Sequence, residues 1–198
     1  NQSYKHTRSY IISGKAGTGK TTLARIYANA LLCDSKDKPC GNCDNCKNFN
    51  KQTHLNYIEI DGASYNKVEN MSDILSVARM HTIDSKQRII VVDEAQRLSL
   101  ASWDILLKHL EESITNTMFI FVTTQKDKIR DSIQSRSIQI QLRNHTKEEV
   151  YKTLLRICEE RNIEYSNNTL QTISSNANSL RDAIKALDML LRVKQKAI

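Results

Sequence analysis

Gly14-Lys15-Ala16-Gly17-Thr18-Gly19-Lys20-Thr21 is the stretch on which the fold turns. It has the form G-x-x-x-x-G-K-[ST], and its flanks matter as much as its letters. Ahead of it, Tyr10-Ile11-Ile12 reads as a short strand; behind it, Thr21 to Leu32 reads as a helix. A glycine-rich turn that opens a helix lets backbone N–H groups wrap phosphates where the helix dipole favours negative charge. Gly14, Ala16, Gly17, Thr18, Gly19 and Thr22 are therefore expected to contact a nucleotide. Lys20 is expected to reach the β- and γ-phosphates, and the Thr21 hydroxyl to bind Mg²⁺. Three of the chain's five glycines lie between Gly14 and Gly19, which points to one local purpose.

Working outward, short apolar runs alternate with helical patterns. Tyr57-Ile58-Glu59-Ile60 reads as a second strand, followed by a helix carrying Val68, Ile74, Leu75 and Ala78. Ile89-Ile90-Val91-Val92 is a third, and its unbroken apolar run suits burial on both faces of a parallel sheet. A helix with Trp103, Leu106, Leu107 and Leu110 precedes a fourth strand from Met118 to Val122. Ile138, Ile140 and Leu142 alternate through a fifth. This order predicts an α/β fold with a five-stranded, mainly parallel, doubly wound sheet. The pattern then changes. Thr146 with Glu149 forms a capping box that opens a helix bearing Val150, Leu154 and Ile157 on one face. A shorter helix near Thr169 to Ser175 follows, and a last one places Leu180, Ile184, Leu187 and Leu191 on one stripe. The expected organisation is a nucleotide-binding domain over residues 1–143 and a small helical domain over 144–198.

Val91-Val92-Asp93-Glu94 supplies the second half of a nucleotide site. A carboxylate ending a buried strand beside a phosphate loop can hold a Mg²⁺ shell, the role expected of Asp93, while Glu94 can polarise an attacking water. Taken alone, an acidic pair simply ends a strand. Paired with the phosphate loop in this order, it reads as catalytic machinery.

Cys33, Cys40, Cys43 and Cys46 are spaced C-x6-C-x2-C-x2-C, with Pro39, Gly41 and Asn42 supplying turn chemistry. Four thiolates at this density suit tetrahedral Zn²⁺, and a closed four-sulfur site is structural rather than catalytic. An iron–sulfur cluster also uses four Cys, but the C-G-N-C turn favours zinc; disulfides are not expected in a chain read as cytoplasmic. Cys158 lies on an apolar helix face and reads as a core residue.

Composition sets the outer bounds. The 198 residues are 39% hydrophobic and 26% charged, ordinary for a folded domain. No run of about eighteen apolar residues occurs, so no membrane-spanning helix is expected. Asn1 to Arg8 is polar, without the apolar core of a secretion signal. The net charge of +7 permits binding to a polyanion and equally describes a solvated basic surface.

Taken together, these residues resemble a family. The phosphate loop, the Cys module after the first helix, and then Ile58-Glu59-Ile60-Asp61-Gly62-Ala63-Ser64 follow the order of the gamma/tau ATPase subunit of bacterial DNA polymerase III clamp loaders. The resemblance continues through Val92-Asp93-Glu94-Ala95, Leu106-Leu107-Lys108-His109-Leu110-Glu111-Glu112, Phe121-Val122-Thr123-Thr124, Ser135-Arg136-Ser137 and Ser179-Leu180-Arg181-Asp182-Ala183. It implies an AAA+ fold: an α/β ATPase domain, an inserted zinc module and a three-helix lid. It further implies ATP, Mg²⁺ and structural Zn²⁺ as cofactors. Such subunits assemble in a pentameric spiral that opens a sliding clamp and places it on primed DNA.

By position, Thr124 looks like the sensor that orients water or γ-phosphate. Arg181 looks like the lid arginine that contacts nucleotide, and Arg136 like a finger that acts in trans on a neighbour's ATP. Lys67, at the start of its helix, falls in the region that faces DNA. Departures are visible too. Ser113-Ile114 replace a pair of prolines, Ser137 stands where Cys is usual, and Gln96 where His is common. The resemblance also implies an N-terminal segment that helps hold adenine, expected to be missing or shortened here, and a C-terminal collar domain for oligomerisation. The chain as read to Ile198 has the extent expected of the first two domains. Two other readings stay open: a nucleotide-dependent subunit without turnover, and a different AAA+ replication or repair ATPase such as a Holliday-junction motor.

Overall fold

Every apolar run named above becomes a strand: β1 Ser9–Ser13, β2 Tyr57–Asp61, β3 Arg88–Asp93, β4 Thr117–Thr123 and β5 Ile138–Gln141. The computed structural model describes residues 9–65, 67–80, 82, 87–111 and 116–196, with side chains described through 192. Glu112 and the Ser113-Ile114 departure lie outside the described residues, as does the polar stretch before Ser9. The strands form one five-stranded sheet in the order β2-β3-β4-β1-β5. All four pairings are parallel. Helices α1 Lys20–Leu32, α2 Asp44–Asn50, α3 Val68–Arg79, α4 Leu100–Glu111 and α5 Asp131–Gln134 connect them.

Burial explains the sequence pattern. Every residue of β4 is buried, and β3 is buried up to Asp93. Parallel strands covered on both faces have no polar face to show, hence the unbroken Ile, Val and Phe runs. On one face Ile90, Val92, Phe119 and Phe121 pack with Met71 and Leu75 of α3 and Trp103 and Leu106 of α4. Trp103 and Phe121 sit with ring centroids 5.2 Å apart. Each such side chain contributes roughly 1.5–3 kcal/mol by leaving water. Helix α1 packs on β1, β3 and β4, burying Ala24, Ala28 and Leu32. At the edge, β5 behaves differently: Ile138 is 43% exposed, and the strand stops at Gln141, one residue short of Leu142.

The described residues divide into two compact units, one holding β1 and Lys20–Gln141, the other Gly14–Gly19 with the chain from Leu142 onward. The second contains α6 Lys147–Glu160, α7 Asn167–Asn176 and α8 Leu180–Lys196. The capping box at Thr146 and Glu149 is formed in both directions. Val150, Leu154, Cys158, Leu170, Ala183 and Leu187 make its core, with Leu180 and Leu191 packed against it. The stripe on α8 is thus rotated from the expected one. Ala183 is fully buried, whereas Ile184 is 39% exposed. A helix repeats every 3.6 residues, so either neighbour can follow Leu180, and the small side chain fits the closer approach. No described helix is long and apolar enough to cross a membrane.

Candidate nucleotide and metal sites

The sheet order sets the geometry. Strand β4 lies between β1 and β3, so Thr124, just past the end of β4, stands between the C-terminal ends of those two strands. In parallel α/β sheets the crevice beyond the strand C-termini is where ligands bind. Here it collects the acidic pair at the end of β3 and the first turn of α1. Thr21 Oγ1 donates to Asp93 Oδ2 at 2.9 Å. The Glu94 backbone N–H donates to Asp93 Oδ1, also at 2.9 Å. Lys20, at the same helix start, is 7% exposed.

Glu94 itself has φ +49° and ψ +40°, the left-handed region that non-glycine residues rarely occupy. Such strain persists only where the surroundings impose it. Gly62 packs against this turn: its N–H donates to Asp93 O at 2.7 Å, and its lack of a side chain makes room, since a Cβ there would stand 2.7 Å from Glu94 O. Beyond the backbone, the Gln96 side-chain amide bonds to the Glu94 carboxylate and to Thr124. Sequence reasoning named Glu94 and Thr124 but gave Gln96 no role. Its only signal was the departure from the usual His.

Within the other unit the phosphate loop has the required turn. Gly17 and Gly19 have φ of +77° and +89°. A Cβ on Gly17 would meet Ser179 Oγ at 2.5 Å and Arg181 Cβ at 3.3 Å, so the N-terminus of α8 lies against the loop. Thr18 Oγ1 donates to Lys15 O at 2.9 Å and closes the turn. Ser179 accepts from the Asp182 N–H at 3.2 Å, which fixes the start of α8 and the exposed Arg181.

Arg136 follows α5 and is exposed. Its guanidinium donates to Glu111 Oε1 at 2.9 Å and to Ser132 O at 3.0 Å. Lys67, also exposed, precedes α3, while Tyr65 packs against the sheet core.

The four cysteines converge. Their sulfurs all lie within 4.8 Å of one another, with Cys33–Cys43 at 3.9 Å and Cys40–Cys46 at 4.0 Å. A tetrahedron with Zn–S bonds of about 2.3 Å has edges of about 3.8 Å, so the set fits that ion. None is bonded in a disulfide. Backbone N–H groups of Cys40, Cys43 and Cys46 point at the sulfurs of Cys33, Cys40 and Cys43. Backbone N–H groups of Asp34 and Cys46 push the Cys43 thiol down to about 6. Burial pushes Cys46 up to about 12, so the buried donor needs a nearby cation to ionise. The turn of Asp44–Asn50 was not legible in the sequence; Cys43 caps it through its sulfur. Asn45 accepts from His54 at 3.0 Å and donates to Asp34 at 2.6 Å, tying the module to the approach to β2.

This sheet order, with a phosphate loop after the first strand and an acidic pair ending the third, defines a P-loop nucleotide-binding protein. The family model described as "DNA polymerase III, delta subunit" matches residues 1–146. The chain belongs to this family of DNA polymerase III subunits. Among curated relatives, the subunit gamma of Buchnera aphidicola (strain APS) is 37% identical over 91% of this chain and 51% of its own length. The gamma/tau subunit of Mycoplasma genitalium is 35% identical over 94% and 32%. The Escherichia coli tau subunit is 34% identical over 92% and 29%. The chain therefore spans about half or less of the relatives it matches. Among solved structures, the RuvB Holliday junction branch migration motor of Thermotoga maritima superposes with a TM-score of 0.66, covering 94% of this chain and 56% of that one at 22% identity. That likeness shows the fold.

Proposed function

We propose that this chain binds ATP with Mg²⁺ and hydrolyses it as the motor subunit of a DNA sliding-clamp loader. The observation that carries the reading is the hydrogen bond between Thr21 and Asp93. It brings the loop hydroxyl and the strand-end carboxylate to one point, the pair that holds Mg²⁺ in P-loop ATPases. Mg²⁺ held there would neutralise charge on the phosphates. Gly14, Ala16, Gly17, Thr18, Gly19 and Thr22 supply phosphate contacts, and Lys20 reaches the β- and γ-phosphates. Glu94 polarises the attacking water, and Thr124 orients water or γ-phosphate.

Residues 1–143 act as the AAA+ domain and 144–198 as its helical lid, with Arg181 the lid's contact to nucleotide. Arg136 acts in trans on a neighbouring subunit's ATP. Cys33, Cys40, Cys43 and Cys46 hold Zn²⁺, which braces the inserted module. The partners are other loader subunits in a pentameric spiral, the sliding clamp and primed DNA, with Lys67 on the DNA side, and the protein works in the cytoplasm. The family membership and the relatives named gamma and tau support this reading over that of a Holliday-junction motor, which leaves the four-Cys module without a role.

The test is ATP hydrolysis with and without sliding clamp and primed DNA. Stimulation by both together is expected. A rate indifferent to both would sink the loader reading, and ATP binding with no turnover in any assembly would leave a nucleotide-dependent structural subunit.

A further inference from the structure

Gln96 lies between the two groups that the proposed hydrolysis asks most of. Its Nε2 donates to Glu94 Oε2 and, at 3.1 Å, to Thr124 Oγ1. Its Oε1 accepts from Thr123 Oγ1 at 2.7 Å. Thr123 is 1% exposed and in turn accepts the Gln125 N–H at 3.0 Å. The carboxylate fixes which way the amide faces, because Oε1 turned toward Glu94 would set acceptor against acceptor. Both amide hydrogens and the carbonyl oxygen are therefore spent, and the side chain has one orientation. Through it the end of β3 is tied to the end of β4.

We infer that Gln96 is a positioning residue that holds the Glu94 carboxylate and the Thr124 hydroxyl as one unit. The inference rests on the roles proposed above for Glu94 and Thr124. Its chemical content is geometric. A carboxylate on a left-handed backbone turn keeps free χ torsions, and a water-activating group must be held within a few tenths of an ångström of its productive place. The hydrogen bond from Gln96 removes that freedom and sets the carboxylate's distance from Thr124. The Gln96 amide bonds to Glu94, Thr123 and Thr124 rather than to Thr21 or Asp93, so the proposed Mg²⁺ pair does not depend on it.

The test uses Gln96→Ala, Gln96→Glu, Thr124→Ala and the Gln96→Ala/Thr124→Ala double variant in the full-length protein, with ATP and Mg²⁺ as probes. Gln96→Ala should leave affinity for ATP within about twofold and lower single-turnover hydrolysis by about tenfold to a hundredfold, as loss of outer-shell partners does at other sites. Gln96→Glu keeps the shape and replaces the donor by a second carboxylate, so it should lose at least as much turnover while melting near wild type. Gln96→Ala combined with Thr124→Ala should cost little more than the worse single change, since both cut one network.

A readout independent of turnover is the Gln96 side-chain amide in ¹⁵N NMR, assigned by its loss in Gln96→Ala. It should shift on Glu94→Gln and again on Thr124→Val. An amide indifferent to both would overturn the inference, as would fully additive effects or a Gln96→Glu variant with wild-type turnover. If Glu94→Gln itself hydrolyses ATP normally, the functional reading fails instead, and the two failures stay distinct.

Discussion

Thr21 and Asp93 are 72 positions apart in sequence and meet through a 2.9 Å hydrogen bond. Both can coordinate one cation, so each should matter for Mg²⁺ rather than for the nucleotide alone. Asp93→Asn should lose most of the gain in ATP affinity that Mg²⁺ confers, and bind metal-free ATP about as well as wild type. Titration calorimetry with and without Mg²⁺ measures both. Equal losses in the two conditions would mean that Asp93 acts only as a structural acceptor for Thr21.

Lys20 and Glu94 separate binding from chemistry. The role proposed for Lys20 is contact with ground-state phosphates, so Lys20→Ala should abolish measurable ATP binding. The role proposed for Glu94 is to act on the attacking water, so Glu94→Gln should retain binding and lose turnover. A fluorescent nucleotide and a phosphate-release assay read the two separately. If both variants lose binding equally, Glu94 has been given the wrong role.

How much of this was legible in sequence depends on how local the cause is. The phosphate loop, the strands and the capping box at Thr146 and Glu149 are local patterns, and each stands where the sequence puts it. The Cys cluster was legible from spacing alone, yet α2 inside it was not, since its cap is the Cys43 sulfur and not a Ser or Asp. The bridge from Gln96 to Thr124 needs β3 and β4 to be neighbours, a fact of pairing that no window of sequence contains. The same holds for Gly62, whose missing side chain matters only because Glu94 O lies where a Cβ would press. Ala183 in place of Ile184 in the core is a smaller case: periodicity picks out the face, and packing chooses between neighbours.

Zinc should be found at one ion per chain by elemental analysis. Cys43→Ser should lower thermal stability without removing nucleotide binding, because the sulfurs hold α2 and the loop before it rather than the phosphate loop. Metal and folding energies are coupled where thiolates converge, so a chelator should reproduce the effect. A metal-free protein that melts unchanged would rule out the ion as a structural brace.

Acid should loosen the start of α6 through Glu149. Arg143, donating at 2.8 and 2.5 Å, and the Thr146 N–H hold its carboxyl down at about 2. A lowered folded value means the stabilisation is complete above the unfolded carboxyl value of about 4.3 and is lost as pH falls toward about 2. The pair is solvent-exposed, so the effect is small and screened by salt. Arg143→Ala should therefore lower the melting temperature slightly at pH 7 and not at pH 2. An equal difference at both pH values would remove charge from the explanation.

Arg136 decides whether the chain is a motor or a lone nucleotide binder. Its partner Glu111 lies at 2.9 Å, and the two side chains are 46% and 50% exposed. An exposed ion pair of this kind is worth about 0–1 kcal/mol. Loss of a finger acting in trans costs on the order of a thousandfold in hydrolysis, which corresponds to about 4 kcal/mol. That gain would outweigh the ion pair, so the contact with Glu111 is compatible with the finger role proposed for Arg136. Arg136→Ala should leave the ATP affinity of the isolated chain nearly unchanged and cut hydrolysis in the assembly by about a thousandfold. Glu111→Gln should alter assembly hydrolysis by no more than about fivefold. Mixing Arg136→Ala with Lys20→Ala subunits gives the sharper test, because some neighbours then pair an intact ATP site with an intact finger. Activity should partly return. If the isolated chain hydrolyses ATP as fast as the assembly, with no dependence on Arg136, the finger does not act in trans and the clamp-loader reading loses its mechanism.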